Sequence, residues 1–263
     1  MKKIIGERVK KDRIKEIIKV SKSFDSYEKK LDYLHNKFKD ETCYILGCGP
    51  SLAEANLHNL KRELQNNLCL TIKISYFSFL ELADFHFFNS NNFTKYPYDE
   101  KTFVVSSSDF LSEEQAKLQI WGSQESDVNL TIGSKSKNET LSKTKQIEKW
   151  LITNSGTNRP WGPGIMYESV LFFAYHLGCN KIKTIGWDYK DPDDKEKISH
   201  FYEENWRLSR LRNPAAQPYN GEIKDSIELS GHFESWLSQK GVEVSAYKSK
   251  LCFLPDTIKR YEL

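Results

Sequence analysis

The sequence predicts an α/β protein, a single Rossmann-like α/β/α domain on a mostly parallel sheet. Three observations support this. Short apolar runs of strand length alternate with amphipathic stretches of helix length over most of the chain. The first strong run, Thr42–Leu46, ends in Gly47-Cys48-Gly49-Pro50-Ser51-Leu52, a strand, glycine turn and helix start of the kind that opens nucleotide-binding folds. The unusual polar and glycine-rich residues fall just after apolar runs, at the carboxyl ends of strands, where such sheets bind ligands.

The elements follow in order. Residues 1–22 carry nine Lys or Arg against three Asp or Glu, with Ile4, Ile5, Val9, Ile14, Ile17, Ile18 and Val20 at roughly helical spacing. They predict an amphipathic basic helix, the first part of a helical N-terminal extension over residues 1–40. Such a helix either packs on the domain or makes peripheral contact with anionic lipid. A second helical pattern runs from Tyr27 to Phe38. The domain proper, residues 41–263, begins with the Thr42–Leu46 strand, its glycine turn and a helical run to about Leu64. Strands are expected at Cys69–Ser75, at Phe85–Phe88 leading into Asn89-Ser90-Asn91-Asn92, and at Thr102–Ser106. Residues 109–149 are polar and weakly patterned, which reads as a surface excursion or lid. Order returns at Trp150–Thr153. An apolar helix Ile165–Leu177, capped by Gly178-Cys179-Asn180, leads to a strand Lys181–Ile185 ending in Gly186-Trp187-Asp188-Tyr189. Residues 190–222 form a second variable or lid segment, followed by a helix from about Ile223 to Gln239 and a strand Val242–Ala246.

Composition excludes several classes. No apolar stretch among the 263 residues approaches the roughly 18–20 that a spanning helix needs. With 6 Trp, 13 Tyr and 15 Phe the chain has too much to bury for wholesale disorder. The net charge is +3; since the first 22 residues contribute about +6, the body is slightly acidic and does not read as a nucleic-acid binder. Five cysteines without a CxxC spacing argue against a disulfide framework and a cysteine zinc site. The expected setting is a reducing cytoplasm, peripheral at the inner membrane if the basic helix meets lipid. An oligomer is compatible with the sequence.

Candidate functional residues sit at the strand ends. Glycines at 47 and 49 let backbone approach a phosphate, and Ser51 either caps the following helix or donates to a ligand. The turn is no Walker A loop, lacking the Lys-Ser/Thr pair, and no full GxGxxG, since Ala53 holds the third position. Asn89 and its neighbours read a base edge, a ribose or a sugar hydroxyl, or simply form an Asx turn. Asn158-Arg159-Pro160-Trp161-Gly162-Pro163-Gly164 fixes an unusual loop in which Arg159 is suited to a bidentate anion contact. Asp188 suits a hydroxyl, a metal or a turn. Among six histidines, His35, His58 and His176 lie in helical patterns, His86 in a strand and His232 in the late helix. His200, in a loop rich in Tyr and Trp, is the best-placed general base.

Taken together, these pieces resemble the bacterial sialyltransferases of glycosyltransferase family 42. More distantly they are similar to the motility-accessory-factor glycosyltransferases and the archaeal 6-hydroxymethylpterin pyrophosphokinase. The resemblance spans roughly residues 42–247, through Tyr44–Leu52, Phe87-Phe88-Asn89, Gly164 with its helix, Gly178–Ile182 and Ile185–Asp188. It implies transfer of an acidic sugar, sialic acid-like or Kdo-like, from a CMP-sugar donor to a surface glycan, with inversion and without a metal. By position, Gly47, Gly49 and Ser51 would hold the donor's phosphate region, with Cys48 where the family has Asn and Ser75 where it has a second Asn. Asn89 would contact the nucleotide, Gly162-Pro163-Gly164 would lie against it, and Asp188 would sit at the neighbouring strand end. His200 would deprotonate the acceptor, Tyr189 and Tyr202 would donate to the departing phosphate, and Arg159 would hold the donor's phosphate or carboxylate. The pyrophosphokinase alternative would require ATP and Mg²⁺, with Asp188 as a ligand. A non-enzymatic nucleotide-binding adaptor is the third reading.

Overall fold

A computed structural model describes residues 2–89, 96–109, 126–133, 141, 145–188, 222–250 and 254–263. Nine strands form one sheet: β1 (Thr42–Leu46), β2 (Leu68–Ile72), β3 (Phe85–Asn89), β4 (Phe103–Asp109), β5 (Val128–Ile132), β6 (Asn158–Arg159), β7 (Lys181–Ile185), β8 (Glu243–Tyr247) and β9 (Lys259–Tyr261). The order is β6-β5-β4-β3-β2-β1-β7-β8-β9 and every described pairing is parallel. The sheet grows one way from β1 through β6, and the other way from β7 through β9. The reversal falls between β1 and β7, whose register sets Leu46 beside Ile185.

Helices cover both faces, the reason β1 and β2 are apolar throughout rather than alternating. On one face α1 (Lys2–Lys22), α2 (Tyr27–Leu34), α7 (Leu171–His176) and α8 (Glu222–Gln239) close over Cys43, Ile45, Phe85, Phe87 and Ile182. On the other, α3 (Ser51–Glu54) and α4 (Leu57–Asn66) cover Tyr44, Leu46 and Ile185. Two further single-turn helices are α5 (Ser75–Ser78) and α6 (Ile152–Ser155). Ile14 and Ile18 of α1 are fully buried in the same cluster as the strands, so the basic helix shares the domain's core.

Its cations are arranged to match. Lys10 and Arg13 pair with Glu41 at 3.1 and 2.6 Å, Lys11 with Asp84 at 2.6 Å and Lys22 with Asp127 at 3.3 Å. Each carboxylate stands one residue before a strand, β1, β3 and β5 respectively. From Lys10 to Lys22 a helix advances about 18 Å, and four strand spacings from β1 to β5 are about 19 Å. Helix α1 therefore runs along the N-terminal edge of the sheet, with two cations before β1 and one each before β3 and β5.

Several elements differ from the sequence reading. The stretch 109–149, read as a surface excursion, contains strand β5: Val128, Leu130 and Ile132 are buried while Asn129 and Thr131 are half-buried, an alternation too short to stand out among polar neighbours. The helical run after the glycine turn breaks at Asn56, whose side chain accepts from Asn59 N at 3.0 Å and caps α4. The strand expected over Cys69–Ser75 ends at Ile72, because Ser75 begins α5. The expected apolar helix opens with a π-helical turn, Met166–Val170, in which all five side chains are buried. Edge strands β6 and β9, of two and three residues, carry no run long enough to read.

Candidate functional site

The crevice between β1 and β7 lies where the strand order reverses, the position at which open α/β sheets bind their ligands. Two turns form its floor. Gly47 N donates to Ile185 O at 2.7 Å and Gly49 N to Gly186 O at 2.9 Å. The contact leaves no room for side chains: a Cβ on Gly47 would stand 2.3 Å from Gly186 O, and one on Gly49 2.7 Å from the Asp188 carboxylate. Gly186 itself has φ +75°. The glycines thus permit two backbones to touch.

Asp188 closes this contact. Its Oδ2 accepts from Ser51 N at 2.6 Å and its Oδ1 from Ser51 Oγ at 2.5 Å, while Gly186 N donates to the same Oγ at 2.9 Å. A carboxylate from across the crevice therefore caps α3, a task that the sequence reading assigns to Ser51 or to a bound phosphate. An Mg²⁺ at Asp188 would compete with both of these hydrogen bonds. Among the described residues no group of three or more His, Cys, Asp or Glu side chains is placed to hold a metal ion.

The neighbouring strand ends are also held by side chains. Ser75 Oγ, fully buried, lies 2.7 Å from Leu46 O and 2.9 Å from Ile72 O and accepts from Ile72 N at 3.0 Å, tying the ends of β1 and β2 together. Cys48 Sγ donates to Ile72 O at 3.2 Å, and burial pushes its thiol pKa up. Asn89 ends β3 with a buried Oδ1 that has no hydrogen-bond partner among the described residues. A buried acceptor left bare costs free energy, so this atom is the most ligand-seeking group on the rim.

The structure does not bring Arg159 to this crevice. It ends β6, five places from β1 in the sheet, and is 1 % exposed. Its Nε donates to Glu168 O at 2.9 Å, satisfying a carbonyl of the π turn, its Nη1 donates to Ser155 Oγ at 2.9 Å, and the guanidinium stacks 4.5 Å from the Phe172 ring centre. Burial lowers its pKa to about 9, opposed by the nearby Glu168. Arg159 thus braces the π turn from the interior, away from the crevice, and its buried Nη2 has no hydrogen-bond partner among the described residues.

Gly162-Pro163-Gly164 leads into the π turn: Gly164 O accepts from Tyr167 N at 3.0 Å and Glu168 N at 3.1 Å, and Glu168 Oε1 accepts from Gly162 N at 3.2 Å. The turn reaches the crevice indirectly, through Tyr167, whose hydroxyl accepts from Trp187 Nε1 at 3.1 Å. Sequence reasoning passed over Tyr167, which looked like one aromatic among many on an apolar helix. Tyr189, His200 and Tyr202 lie outside the described residues. The other histidines are accounted for in part. Burial holds His86 near pKa 3 and His176 near 4, His176 Nε2 donating to Leu31 O at 2.8 Å, and His232 sits exposed 3.8 Å from Glu228.

No protein-family model matches the sequence, and no curated protein sequence does. Among solved structures the fold is similar to a MAf glycosyltransferase from Magnetospirillum magneticum AMB-1, with a TM-score of 0.40 and 10 % sequence identity over 96 % of this chain and 38 % of that one. The chain thus spans well under half the length of that protein, and the crevice is read from its own geometry. No helix among the described residues is long and apolar enough to cross a membrane.

Proposed function

We propose that the chain is a glycosyltransferase that moves an acidic sugar from a CMP-sugar donor to a glycan acceptor. The observation that carries this is the crevice where the strand order reverses, bracketed by Asp188 after β7 and the bare Oδ1 of Asn89 at the end of β3. These ends are three strand spacings apart, about 14 Å, a span that a nucleotide with its sugar covers. The motif resemblance around Tyr44–Leu52 and Ile185–Asp188 gives the same reading from sequence.

In this reading the donor lies across the ends of β1 and β2. Asn89 receives a hydrogen bond from the base or ribose and Asp188 from a donor hydroxyl, keeping its grip on Ser51. The donor's phosphate stays clear of Ser51, since Asp188 already accepts from its N–H and hydroxyl and would repel an anion there. His200 takes the proton of the acceptor hydroxyl as the acceptor oxygen bonds to the anomeric carbon. The bond from that carbon to the phosphate oxygen breaks, and CMP leaves with Tyr189 and Tyr202 as donors to its phosphate.

A thermal-shift panel of CMP, CDP, UDP, GDP and ATP, each with and without Mg²⁺, tests the proposal. CMP at 100 times its Kd should stabilise the fold by about 2.7 kcal/mol without metal. A response confined to ATP with Mg²⁺ would replace the transferase by a pyrophosphokinase, and silence towards CMP with a response to UDP or GDP would replace the donor class.

A further inference from the structure

The geometry points to Tyr167 as the positioning residue of the crevice: its hydroxyl clasps Trp187, beside Asp188, to the Ser226 carbonyl of α8. The inference rests on reading the β1–β7 crevice as the binding site. Tyr167 is fully buried, and its hydroxyl makes two hydrogen bonds of opposite sense. It accepts from Trp187 Nε1 at 3.1 Å and donates to Ser226 O at 2.8 Å. The donated bond reaches a backbone carbonyl of α8, so Tyr167 fixes the helix itself and not merely a rotamer. The accepted bond fixes an indole whose own backbone lies between Gly186, which holds Gly49 and Ser51, and Asp188, which holds Ser51 twice. The ring packs at 5.9 Å from Trp187 and 5.7 Å from Phe233 of α8.

The π-helical turn accounts for how Tyr167 comes to serve both. Leu171 N donates to Met166 O, a spacing of five residues. The helix is covered on all sides here, since Met166–Val170 of the widened turn and Leu171–Ala174 after it are all buried, and such π insertions recur at functional sites. Arg159 Nε, donating to Glu168 O, stabilises the altered backbone. Thirty-three residues separate Asp188 from Glu222, the start of α8. Tyr167 therefore ties Trp187, the residue before Asp188, to α8, and any acceptor or donor group seated in the crevice meets an Asp188 whose neighbour it holds.

Tyr167→Phe and Trp187→Phe test this with two readouts. In Tyr167→Phe, hydrogen exchange of the Trp187 indole N–H and of the α8 amides that follow Ser226 should quicken about ten-fold, the size of one lost hydrogen bond, while β1 and β3 amides hold. In Trp187→Phe the α8 amides should stay protected, because Tyr167 still donates to Ser226 O. Uniform acceleration across the sheet in Tyr167→Phe, or none, would overturn the clasp. For the crevice, the Kd of CMP measured well below the melting temperature should rise about ten-fold in Tyr167→Phe. An unchanged Kd with the exchange pattern as expected would overturn the positioning role. Wild-type protein that binds no CMP would overturn the donor reading, while the exchange experiment still decides the clasp.

Discussion

At the N-terminal edge of the sheet Glu41, Asp84 and Asp127 each meet a cation of α1, whereas at the C-terminal edge Asp188 meets the N–H and hydroxyl of Ser51 and Asn89 Oδ1 meets no partner among the described residues. The lower edge has carboxylates neutralised by a helix that shares the core. The upper edge has backbones pressed together at glycines, with polar groups held ready around them. Charge placed for stability is paired, and polarity placed for a ligand is positioned but left with capacity to accept. The basic helix, which the sequence offers either to its own domain or to a lipid surface, has Lys10, Lys11, Arg13 and Lys22 turned towards its own domain.

The sharpest way to break the upper edge is Gly47→Ala. Its Cβ would stand 2.3 Å from Gly186 O and 2.9 Å from Gly186 C, backbone atoms that yield only if the turns part. The expected cost is on the order of 4 kcal/mol, a fall in Tm of roughly 8–16 °C in calorimetry. Acid strains both regions, through His176 below β7 and His86 within β3. Burial holds them near 4 and 3, so between these values and about 6.5 the unfolded chain binds more protons than the fold. Stability should be intact above pH 6.5 and fall by a few kcal/mol as the pH drops towards 4, followed by urea titrations at each pH. His176→Gln should flatten its share of that slope. Lys11→Met breaks the lower edge by leaving Asp84 buried without its cation, at a cost of about 3 kcal/mol at pH 7. Burial already raises the Asp84 pKa, so this cost should shrink in acid as its carboxyl takes a proton. Asn89→Ala is the mildest change to the fold and the most telling. Removing an amide whose buried oxygen has no partner among the described residues should move stability by less than about 0.5 kcal/mol, while CMP affinity drops ten-fold or more. Equal losses of stability and affinity would mean that Asn89 belongs to the scaffold.

Much of this was legible in the residues. Strands β1 and β7 fall where the apolar runs end in Gly47 and Gly186, and β3 where Phe85–Phe88 meets Asn89, because buried parallel strands read as unbroken hydrophobic runs. Strand β5 escaped notice because an outer strand buries only alternate residues. Pairings across long sequence separations stayed hidden. Nothing local to Gly47 announces a contact with Gly186, and nothing in Lys22 announces Asp127. The sequence assigns Arg159 to an anion by its flanking prolines and glycines, but those same residues shape the π turn whose carbonyl it satisfies. Tyr167 has no local signature, since its two partners lie 20 and 59 residues further on.

The strand order also dictates a history for every newly made chain. Strands β1 to β6 add to the sheet one after another as they emerge, each beside its predecessor, but β1 lacks its second neighbour until residue 185 has been synthesised. Until then β1, an interior strand of the finished sheet, is an open edge, the kind of surface that recruits other chains. Helix α1, made first and joined to residues before β1, β3 and β5, can gather the early strands but cannot cover that edge. That edge closes only when β7 docks on β1, a long-range closure, and the glycine contact that shapes the crevice forms only with it.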